Sequence, residues 1–343
     1  MPPADSEPPT LPPSKAFDEI SNGHVVINEK VEVDKVSDTM CDKLESGLED
    51  LLLGSKMSPT FDVFYTLGKK LQGGSYGTVF MGVHNLSERE YAIKVVDRTK
   101  LSRNDDEAQM QEVEILRSLS PATFGKPKCS KNHGEETEDN GIINLIDFYH
   151  SPAKYHIVME LARGGDVFDR LAKRKVYTEK HARDLARRML ESIRYLHERG
   201  IAHRDIKPEN LLFESNEENS SIKLIDFGLS RTHGINDRAM INQVGTSYYM
   251  SPGVLKGKYD RSCDLWAVGI VSYIVLSGYP PFNGSSDYEV EESILRGNLV
   301  FERDVWGNLS AASRDFVSKL LCIDSSKTLS AAEALQHPWI VSA

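Results

Sequence analysis

Residues 203–210 read HRDIKPEN, a mostly polar stretch between the apolar flanks GIA (200–202) and LLF (211–213). The stretch places Asp205, Lys207 and Asn210 in one short loop. An aspartate beside a nucleophilic hydroxyl can accept its proton, a lysine can neutralise charge on a phosphoryl group, and an asparagine oxygen can bind a divalent metal ion. Each residue alone is typical of an ordinary polar loop, but their order predicts phosphoryl transfer.

The motif IDFG (225–228) follows a short way downstream. Asp226 can bind the metal ion that bridges the phosphates, while Phe227 is expected to pack inward and Gly228 to free the turn. This second motif supplies a second metal ligand in addition to Asn210.

Two glycine-rich and strand-like segments precede these loops. LQGGSYGTVF (71–80) is a glycine-rich turn between two strand-like runs, where backbone N–H groups can approach phosphate oxygens. In YAIK (91–94), strand alternation points Ala92 and Lys94 to the same face, which puts Lys94 under the glycine turn. In isolation the first segment is a common hairpin and Lys94 an ordinary surface lysine.

A helix predicted over 105–119 offers a carboxylate partner for Lys94. Its periodicity puts Glu112 on the face of Ala108, Ile115, Leu116 and Leu119. Glu114 shares a face with Gln111, Arg117 and Ser118 instead. We therefore expect Glu112 to point inward and Glu114 to be a solvated charge beside Arg117.

Composition restricts the class of protein. The 343 residues are 40% hydrophobic and 27% charged with a net charge of −10, which argues against a general binder of nucleic acid or anionic membranes. The most apolar run, LWAVGIVSYIVL (265–276), is too short for a bilayer and predicts a buried helix. No signal peptide or myristoylation site is visible, and the four scattered cysteines show no zinc spacing. We expect a cytoplasmic monomer with no nucleic-acid or membrane partner, and a nuclear location also fits.

The pattern along the chain divides it into a tail and one two-part domain. Residues 1–60 form an acidic, proline-containing segment that we expect to be mostly disordered, with one amphipathic stretch ending at Gly54 that either docks on the body or stays in solvent. From about 61 to 160 short β-branched and aromatic runs (77–83, 90–96 and 156–160) surround the predicted helix. A second, larger part covers about 161–341, and from residue 178 onward its pattern is mainly helical. Residues 120–141 are predicted to be a surface insertion and 214–221 a hairpin loop.

The ordered set of glycine-rich loop, YAIK, inward Glu112, HRDIKPEN and DFG resembles the protein kinase family. Further matches are GTSYYMSP (245–252), DLWAVGI (264–270), GYPPF (278–282) and HPWI (337–340), so the resemblance covers roughly residues 62–341. The motifs are most similar to the calcium- and calmodulin-dependent branch, especially the kinase domain of calcium-dependent protein kinases. The resemblance implies an α+β, bilobal protein kinase fold with a small β-rich N-lobe and a larger helical C-lobe.

The same resemblance assigns roles to individual residues. Lys94 would hold the α- and β-phosphates and pair with Glu112, Asp205 would be the catalytic base, and Lys207 would contact the γ-phosphate. Asn210 and Asp226 would bind Mg²⁺. The remaining ATP contacts would come from Gly73, Gly74, Gly77, Val79, Ala92, the gatekeeper Met159, the hinge residues Glu160 and Ala162, Asp166, and Leu212. Lys207 and Thr246 resemble serine/threonine kinases, and Asp166 and Glu209 lie where related kinases contact ribose or a basic substrate residue.

Two departures from the family pattern affect these expectations. Gln72 replaces the first glycine of G-x-G-x-x-G, so we expect weaker ATP binding. Gly253 replaces the glutamate of A-P-E, and Thr328 replaces its arginine partner. Losing one charge of a buried pair costs roughly 3–5 kcal/mol, whereas losing both can be near neutral, so Gly253 alone does not argue for an inactive protein. It does predict a looser substrate-binding loop.

Regulation is expected to differ from that of many relatives. Residues 233–244 contain no Ser, Thr or Tyr, so we expect activity without phosphorylation of this loop, which phosphatase treatment would test. No segment matches the EF-hand pattern, so control would come from the tail, a separate regulatory partner or a missing segment. The predicted function is an ATP-dependent serine/threonine protein kinase acting on proteins with nearby basic residues. The alternatives are a pseudokinase acting as an ATP-binding or scaffold module and, less in keeping with GTSYYMSP and GYPPF, a small-molecule kinase.

Overall fold

The computed structural model describes residues 60–74, 77–120, 124, 139–174, 177–217, 219–232, 247–258 and 260–342. The chain divides into two units, Met1–Ser58 and Pro59–Ala343, and the described residues all belong to the second. The predictions for the tail, for most of the 120–141 insertion and for the 233–246 loop therefore lie outside the described residues.

A five-stranded antiparallel sheet forms the N-terminal part of this unit, with strand order β1-β2-β3-β5-β4. A short helix α1 (Phe61–Phe64) precedes it. The strands are β1 (Tyr65–Gly74), β2 (Gly77–His84), β3 (Glu90–Asp97), β4 (Leu145–His150) and β5 (Lys154–Met159). One face of the sheet packs in a core cluster of Phe61, Phe64, Tyr65, Tyr91, Ile93, Ile146 and Val158. Alternation along each strand leaves the opposite face for other contacts.

Helix α2 (Arg103–Leu119) lies between β3 and β4 in the chain. A capping box of Ser102 and Asp105 satisfies its first backbone N–H groups. Glu112 is buried with Ile115, Leu116 and Leu119, whereas Glu114 is exposed. The predicted helix and the predicted orientation of its two glutamates are both confirmed.

The C-terminal part is mainly helical, as its sequence pattern predicts. Its helices are α3 (Val167–Arg174), α4 (Glu179–Glu198), α5 (Pro252–Leu255), α6 (Ser262–Ser277), α7 (Asp287–Arg296), α8 (Arg303–Trp306), α9 (Ala311–Leu320), α10 (Ala331–Leu335) and α11 (Pro338–Val341). Two short antiparallel pairs join them: β6 (Ile201–Ala202) with β9 (Arg231–Thr232), and β7 (Leu211–Phe213) with β8 (Ile222–Leu224). The β7–β8 connection contains the 214–221 loop, which confirms the hairpin prediction.

Helix α6 is buried from Cys263 to Leu276, so the prediction of a buried helix for residues 265–276 is confirmed. Its C-terminus is capped by Gly278 in the left-handed conformation, with φ of 82°. Within the described part of the chain, no helix combines the length and hydropathy that a membrane span needs.

The sheet followed by helices is the α+β, bilobal architecture that the motifs imply. Two elements of the N-terminal part were not predicted. Helix α1 is a single turn, and strand β4 has a mixed sequence, LIDFYH, that carries no clear alternation. The loops that connect these elements carry the residues of the predicted site.

Candidate active site

The open face of the sheet carries four of the residues expected to contact nucleotide. Lys94 pairs with Val79 of β2 and Ile157 of β5, while Ala92 pairs with Met159. Val79, Ala92, Lys94 and Met159 are half-buried, while Ile157 on the same face is fully buried. Because paired residues of neighbouring strands point to the same side, these four side chains lie on one surface.

Lys94 is fixed on this surface by α2. Its Nζ lies 2.8 Å from both Oε1 and Oε2 of Glu112. The side chain of Glu112 is only 3% exposed, and burial raises its pKa, with a further contribution from the charge of Asp226 against the opposing effect of Lys94. The ion pair expected between Lys94 and Glu112 is therefore present, and Asp226 lies close enough to act on it.

The described glycines of the glycine-rich segment lie at the end of β1 and at the start of β2. Gln72 pairs with Val79, Gly73 with Thr78, and Gly74 with Gly77. A Cβ at Gly77 would lie 2.6 Å from the carbonyl oxygen of Val95, so the close approach of β2 to β3 requires a glycine there.

The HRDIKPEN loop holds the carboxylate of Asp205 in a defined orientation. Its Oδ2 accepts hydrogen bonds from Lys207 Nζ at 2.7 Å and from Asn210 Nδ2 at 2.9 Å. Asn210 Nδ2 also donates to the carbonyl oxygen of Asp205 at 2.8 Å. Among the described residues Asp205 Oδ1 accepts no hydrogen bond, so this oxygen can accept one from a substrate hydroxyl.

A buried carboxylate beneath the loop holds its backbone. Asp264, at the start of α6, is 1% exposed and accepts from the backbone N–H groups of His203 at 3.0 Å and Arg204 at 2.8 Å. It also bonds His197 Nε2 at 2.8 Å. Burial alone would raise the pKa of Asp264, but the bonds from His197 and the loop hold it below the ordinary value. No role was predicted for Asp264 from the sequence, although this residue is a charge in the otherwise apolar stretch DLWAVGI.

His203 links this loop to the DFG segment. Its ring is fully buried against Phe227, with ring centroids 4.8 Å apart. His203 Nδ1 accepts from the N–H of Asp205, and Nε2 lies 3.1 Å from the carbonyl oxygen of Ile225. Burial lowers the pKa of His203. Because Nδ1 accepts a hydrogen bond and Nε2 faces a carbonyl oxygen, the ring proton lies on Nε2. Phe227 packs inward as predicted.

Asp226 is exposed and adopts a left-handed backbone conformation with φ of 63°, which is uncommon outside glycine. Its Oδ1 accepts a hydrogen bond from Gly228 N at 3.3 Å. A Cβ at Gly228 would lie 3.2 Å from Asp226 Oδ1 and 3.6 Å from Glu112 Oε2. Both carboxylates therefore lie close to one glycine, which places Asp226 beside the Lys94–Glu112 ion pair.

The linker after β5 is held against the β7–β8 hairpin. Gly164 N donates to Phe213 O at 2.8 Å, and Phe213 N to Gly165 O at 2.9 Å. Asp166 forms an isolated bridge with Leu212, which is half-buried. The linker after β5 and strand β7 thus bring together the remaining residues that were expected to contact the nucleotide, which are Glu160, Ala162, Asp166 and Leu212.

Glu209 lies beside this site. Its Oε2 is buried and accepts no hydrogen bond from any described residue. Burial raises the pKa of Glu209, and the charges of Asp166 and Asp205 add to this effect against that of Lys207. An acceptor in this position can bind a cationic group from outside the chain.

The arrangement of Asn210 fits a role as metal ligand. Its side-chain Nδ2 donates to Asp205, which leaves the side-chain amide oxygen for other partners. Its backbone carbonyl oxygen accepts from the N–H of Ile225 at 2.9 Å, and Ile225 directly precedes Asp226. An amide oxygen and a carboxylate are the donors that Mg²⁺ prefers. The pair therefore fits a magnesium ion that would also bind phosphate oxygens.

Gly253 and Thr328, which depart from the family pattern, lie in separate segments of the helical part. Gly253 lies in α5, where its carbonyl oxygen accepts from Lys258 N at 2.8 Å. Thr328 follows the 3-10 turn Ser325–Lys327. The expectation of a looser loop stays a prediction, since Gly245 and Thr246 lie outside the described residues.

Comparison with known proteins agrees with this geometry. Residues 132–340 match the model of the protein kinase domain. The chain is 36% identical over 279 residues to myosin light chain kinase A of Dictyostelium discoideum, covering 81% of this chain and 88% of the relative. It is also 36% identical over 296 residues to calcium-dependent protein kinase 2 of Arabidopsis thaliana, covering 86% of this chain and 43% of the relative.

A third relative, calcium-dependent protein kinase 4 of Plasmodium falciparum, is 36% identical over 276 residues, which cover 80% of this chain and 49% of the relative. The chain thus spans less than half the length of these two calcium-dependent protein kinases and most of the myosin light chain kinase. The match to the kinase domain and the extent of these identities place the chain among the serine/threonine protein kinases of the calcium- and calmodulin-dependent group, so it belongs to the protein kinase family.

Proposed function

We propose that this chain transfers the γ-phosphoryl group of ATP, with Mg²⁺ as cofactor, to serine and threonine residues of proteins that carry nearby basic residues. One observation carries the proposal: separate elements bring the Lys94–Glu112 ion pair, the Asp205 carboxylate and Asp226 close to one another. Kinase catalysis consists mainly of positioning and charge neutralisation, which such a convergence supports.

The hydroxyl of the substrate would be oriented by Asp205. Lys207 and Asn210 hold Oδ2, so Oδ1 is the oxygen that accepts the hydroxyl proton. Lys94, oriented by both oxygens of Glu112, binds the α- and β-phosphates. Bound MgATP supplies the phosphoryl group and the cations that neutralise its charge, with Asn210 and Asp226 as the protein ligands.

The preference for basic substrates is supported by Glu209. Its unpartnered Oε2 and the charges of Asp166 and Asp205 form an acidic edge beside the base. The net charge of −10 favours encounter with cationic peptides in the same way. A lysine or arginine of the substrate would pair with Glu209.

The alternative is a pseudokinase that binds ATP or partners without turnover. Gln72, Gly253 and Thr328 are the departures that favour it. They lie outside the Lys94–Glu112 pair and the Asp205–Asn210 contact, which a scaffold has no need to keep. The cytoplasmic location, monomeric state and separate regulator stay predictions from the sequence.

A peptide assay tests the proposal. The full chain is incubated with MgATP and a library of Ser/Thr peptides with and without basic residues, and phosphopeptides are identified by mass spectrometry. Asp226→Asn and Asp205→Asn should abolish the product, while Asp324→Asn, the same substitution at an exposed turn, should retain it. Nucleotide binding without any phosphopeptide from the wild type would favour the pseudokinase.

A further inference from the structure

Lys223 is a buried cation outside the residues discussed so far. It lies in β8 and is 4% exposed. Its Nζ is 2.8 Å from Asp139 Oδ1 and 3.3 Å from Oε1 of both Glu160 and Glu214. One ammonium group is thus shared by three carboxylates.

These carboxylates come from three different segments. Asp139 precedes β4, Glu160 follows β5, and Glu214 follows β7. Backbone bonds join two of these segments: Leu224 N donates to Gly141 O at 2.8 Å, and Ile143 N donates to Leu224 O at 3.1 Å. Lys223 therefore lies at the junction between the sheet and the first hairpin of the helical part.

Glu160 is the first residue after β5 and begins the linker to α3. Its Oε1 accepts from both N and Nδ2 of Asn144 at 2.9 Å, and its own N–H donates to Asn144 O at 3.1 Å. The contact with Lys223 uses the same oxygen. One carboxylate oxygen thus ties the start of the linker to the segment before β4 and to the hairpin.

Opposite charges hold the three segments together at this junction. Burial would lower the pKa of Lys223, but Glu160, Asp139 and Glu214 together raise it above its ordinary value. Lys223 therefore remains charged at physiological pH. An unprotonated or neutral side chain at 223 would leave the carboxylates facing each other without compensation.

We propose that Lys223 is a positioning residue for the adenine ring, because it fixes Glu160 and with it the backbone of the 160–162 linker to which the base is expected to bind. The inference rests on the proposed function for the place of the nucleotide. It adds a residue that touches neither ATP nor substrate but sets the affinity for the base.

If Lys223 had only a structural role, its substitution would lower stability but would not affect ligands with the adenine base more than ligands without it. A positioning Lys223 predicts a loss that follows the adenosine part of the ligand. Phosphate binding should be spared, because Lys94 is held separately by Glu112. Probes with and without the base distinguish the two roles.

The experiment measures Kd by calorimetry for adenosine, for ADP with Mg²⁺, and for inorganic tripolyphosphate with Mg²⁺. Lys223→Met should weaken adenosine and ADP about tenfold each and leave tripolyphosphate within about twofold of wild type. Lys223→Arg, which keeps the charge, should restore most of the binding. Lys319→Met removes a lysine that is also ion-paired but half-exposed on α9, and should change none of the three constants.

A second variant guards against misfolding of Lys223→Met. Glu160→Gln keeps an oxygen for both Asn144 bonds and removes only the charge opposite Lys223, so it should weaken adenosine by a smaller factor, about threefold. The double variant should bind adenosine no worse than Lys223→Met alone, since both changes remove one contact.

Unchanged adenosine affinity in folded Lys223→Met or Glu160→Gln overturns the inference, as does an equal loss for tripolyphosphate. These outcomes are independent of peptide phosphorylation. If the wild type binds adenosine but phosphorylates no peptide, the proposed function fails while the role of Lys223 is still decided by the binding constants.

Discussion

Asp264→Asn tests how the geometry of the HRDIKPEN loop affects activity, because it changes no residue that is expected to contact the substrate. The carboxylate is buried beneath the catalytic loop and accepts from His203 N, Arg204 N and His197 Nε2 at 2.8–3.0 Å. Asparagine has nearly the same shape but offers one acceptor oxygen and one NH₂ group. At least one donor would then face another donor.

The magnitude follows from the number of bonds. A hydrogen bond to a charged group contributes about 1.5–3 kcal/mol, against about 0.5–1.5 kcal/mol for a neutral pair. Losing roughly 1 kcal/mol at each of three bonds gives about 3 kcal/mol in the free energy of unfolding. At about 2–4 °C per kcal/mol for a domain of this size class, Tm should fall by roughly 6–12 °C.

Activity should fall by more than stability suggests, because the loop that Asp264 holds carries Asp205. Arg204 has φ of 70°, a strained conformation that the bond from its N–H to Asp264 helps to maintain. Relaxation there would move the base, and a small displacement can cost about 100-fold in rate. KM for ATP should change little, since Lys94 and Glu112 are anchored elsewhere.

The assay is steady-state peptide phosphorylation with a melting curve for the same preparation, at a temperature where both proteins are folded. Asp324→Asn is the control, because Asp324 caps an exposed turn with the same chemistry. A folded Asp264→Asn protein with wild-type kcat would refute the reasoning, as would a loss confined to KM for ATP.

Three further substitutions test the nucleotide, substrate and metal contacts. Gln72→Gly should tighten ATP binding by about threefold in a nucleotide titration, and an unchanged Kd would remove the role given to Gln72. Glu209→Gln should raise KM for basic peptides about tenfold. Glu209 pairs with a cation only when it is ionised and its pKa is raised, so wild-type KM for basic peptides should rise as pH falls towards that pKa. If KM of the variant showed the same pH profile, the assignment would be contradicted. Gly228→Ala brings a Cβ to 3.2 Å from Asp226 Oδ1, so the Mg²⁺ concentration for half-maximal rate should rise about fivefold at unchanged Tm. An unaltered Mg²⁺ dependence would exclude a contact between Asp226 and Mg²⁺.

Local periodicity predicted the parts of the fold that depend on local packing. The buried side of α2 was readable because Glu112 lies one helical turn before Ile115 and Leu116. Helix α6 was readable because its run of apolar residues has no solvent-facing side. Strand β4 was not, because Asp147 interrupts its alternation; the structure explains the interruption by a hydrogen bond from Tyr65 Oη to Asp147 Oδ2 at 2.9 Å.

Contacts between distant segments could not be predicted in the same way. Lys223 and Asp139 are separated by 84 positions, and no periodicity relates them. The same is true of Asp264 and His203, 61 positions apart. The motifs indicated which side chains carry chemistry, but only the tertiary structure identifies the groups that hold them.

The holding groups share one physical property: each is a buried charge with partners from separate segments. Glu112 faces Lys94, Asp264 faces His197 and two loop N–H groups, and Lys223 faces three carboxylates. A buried ion pair contributes little net stability, because desolvation offsets most of the attraction, yet breaking one by removing a single partner is strongly unfavourable. Such groups therefore restrict geometry more than they stabilise the fold. That is the requirement of phosphoryl transfer, in which the protein mainly positions reactants.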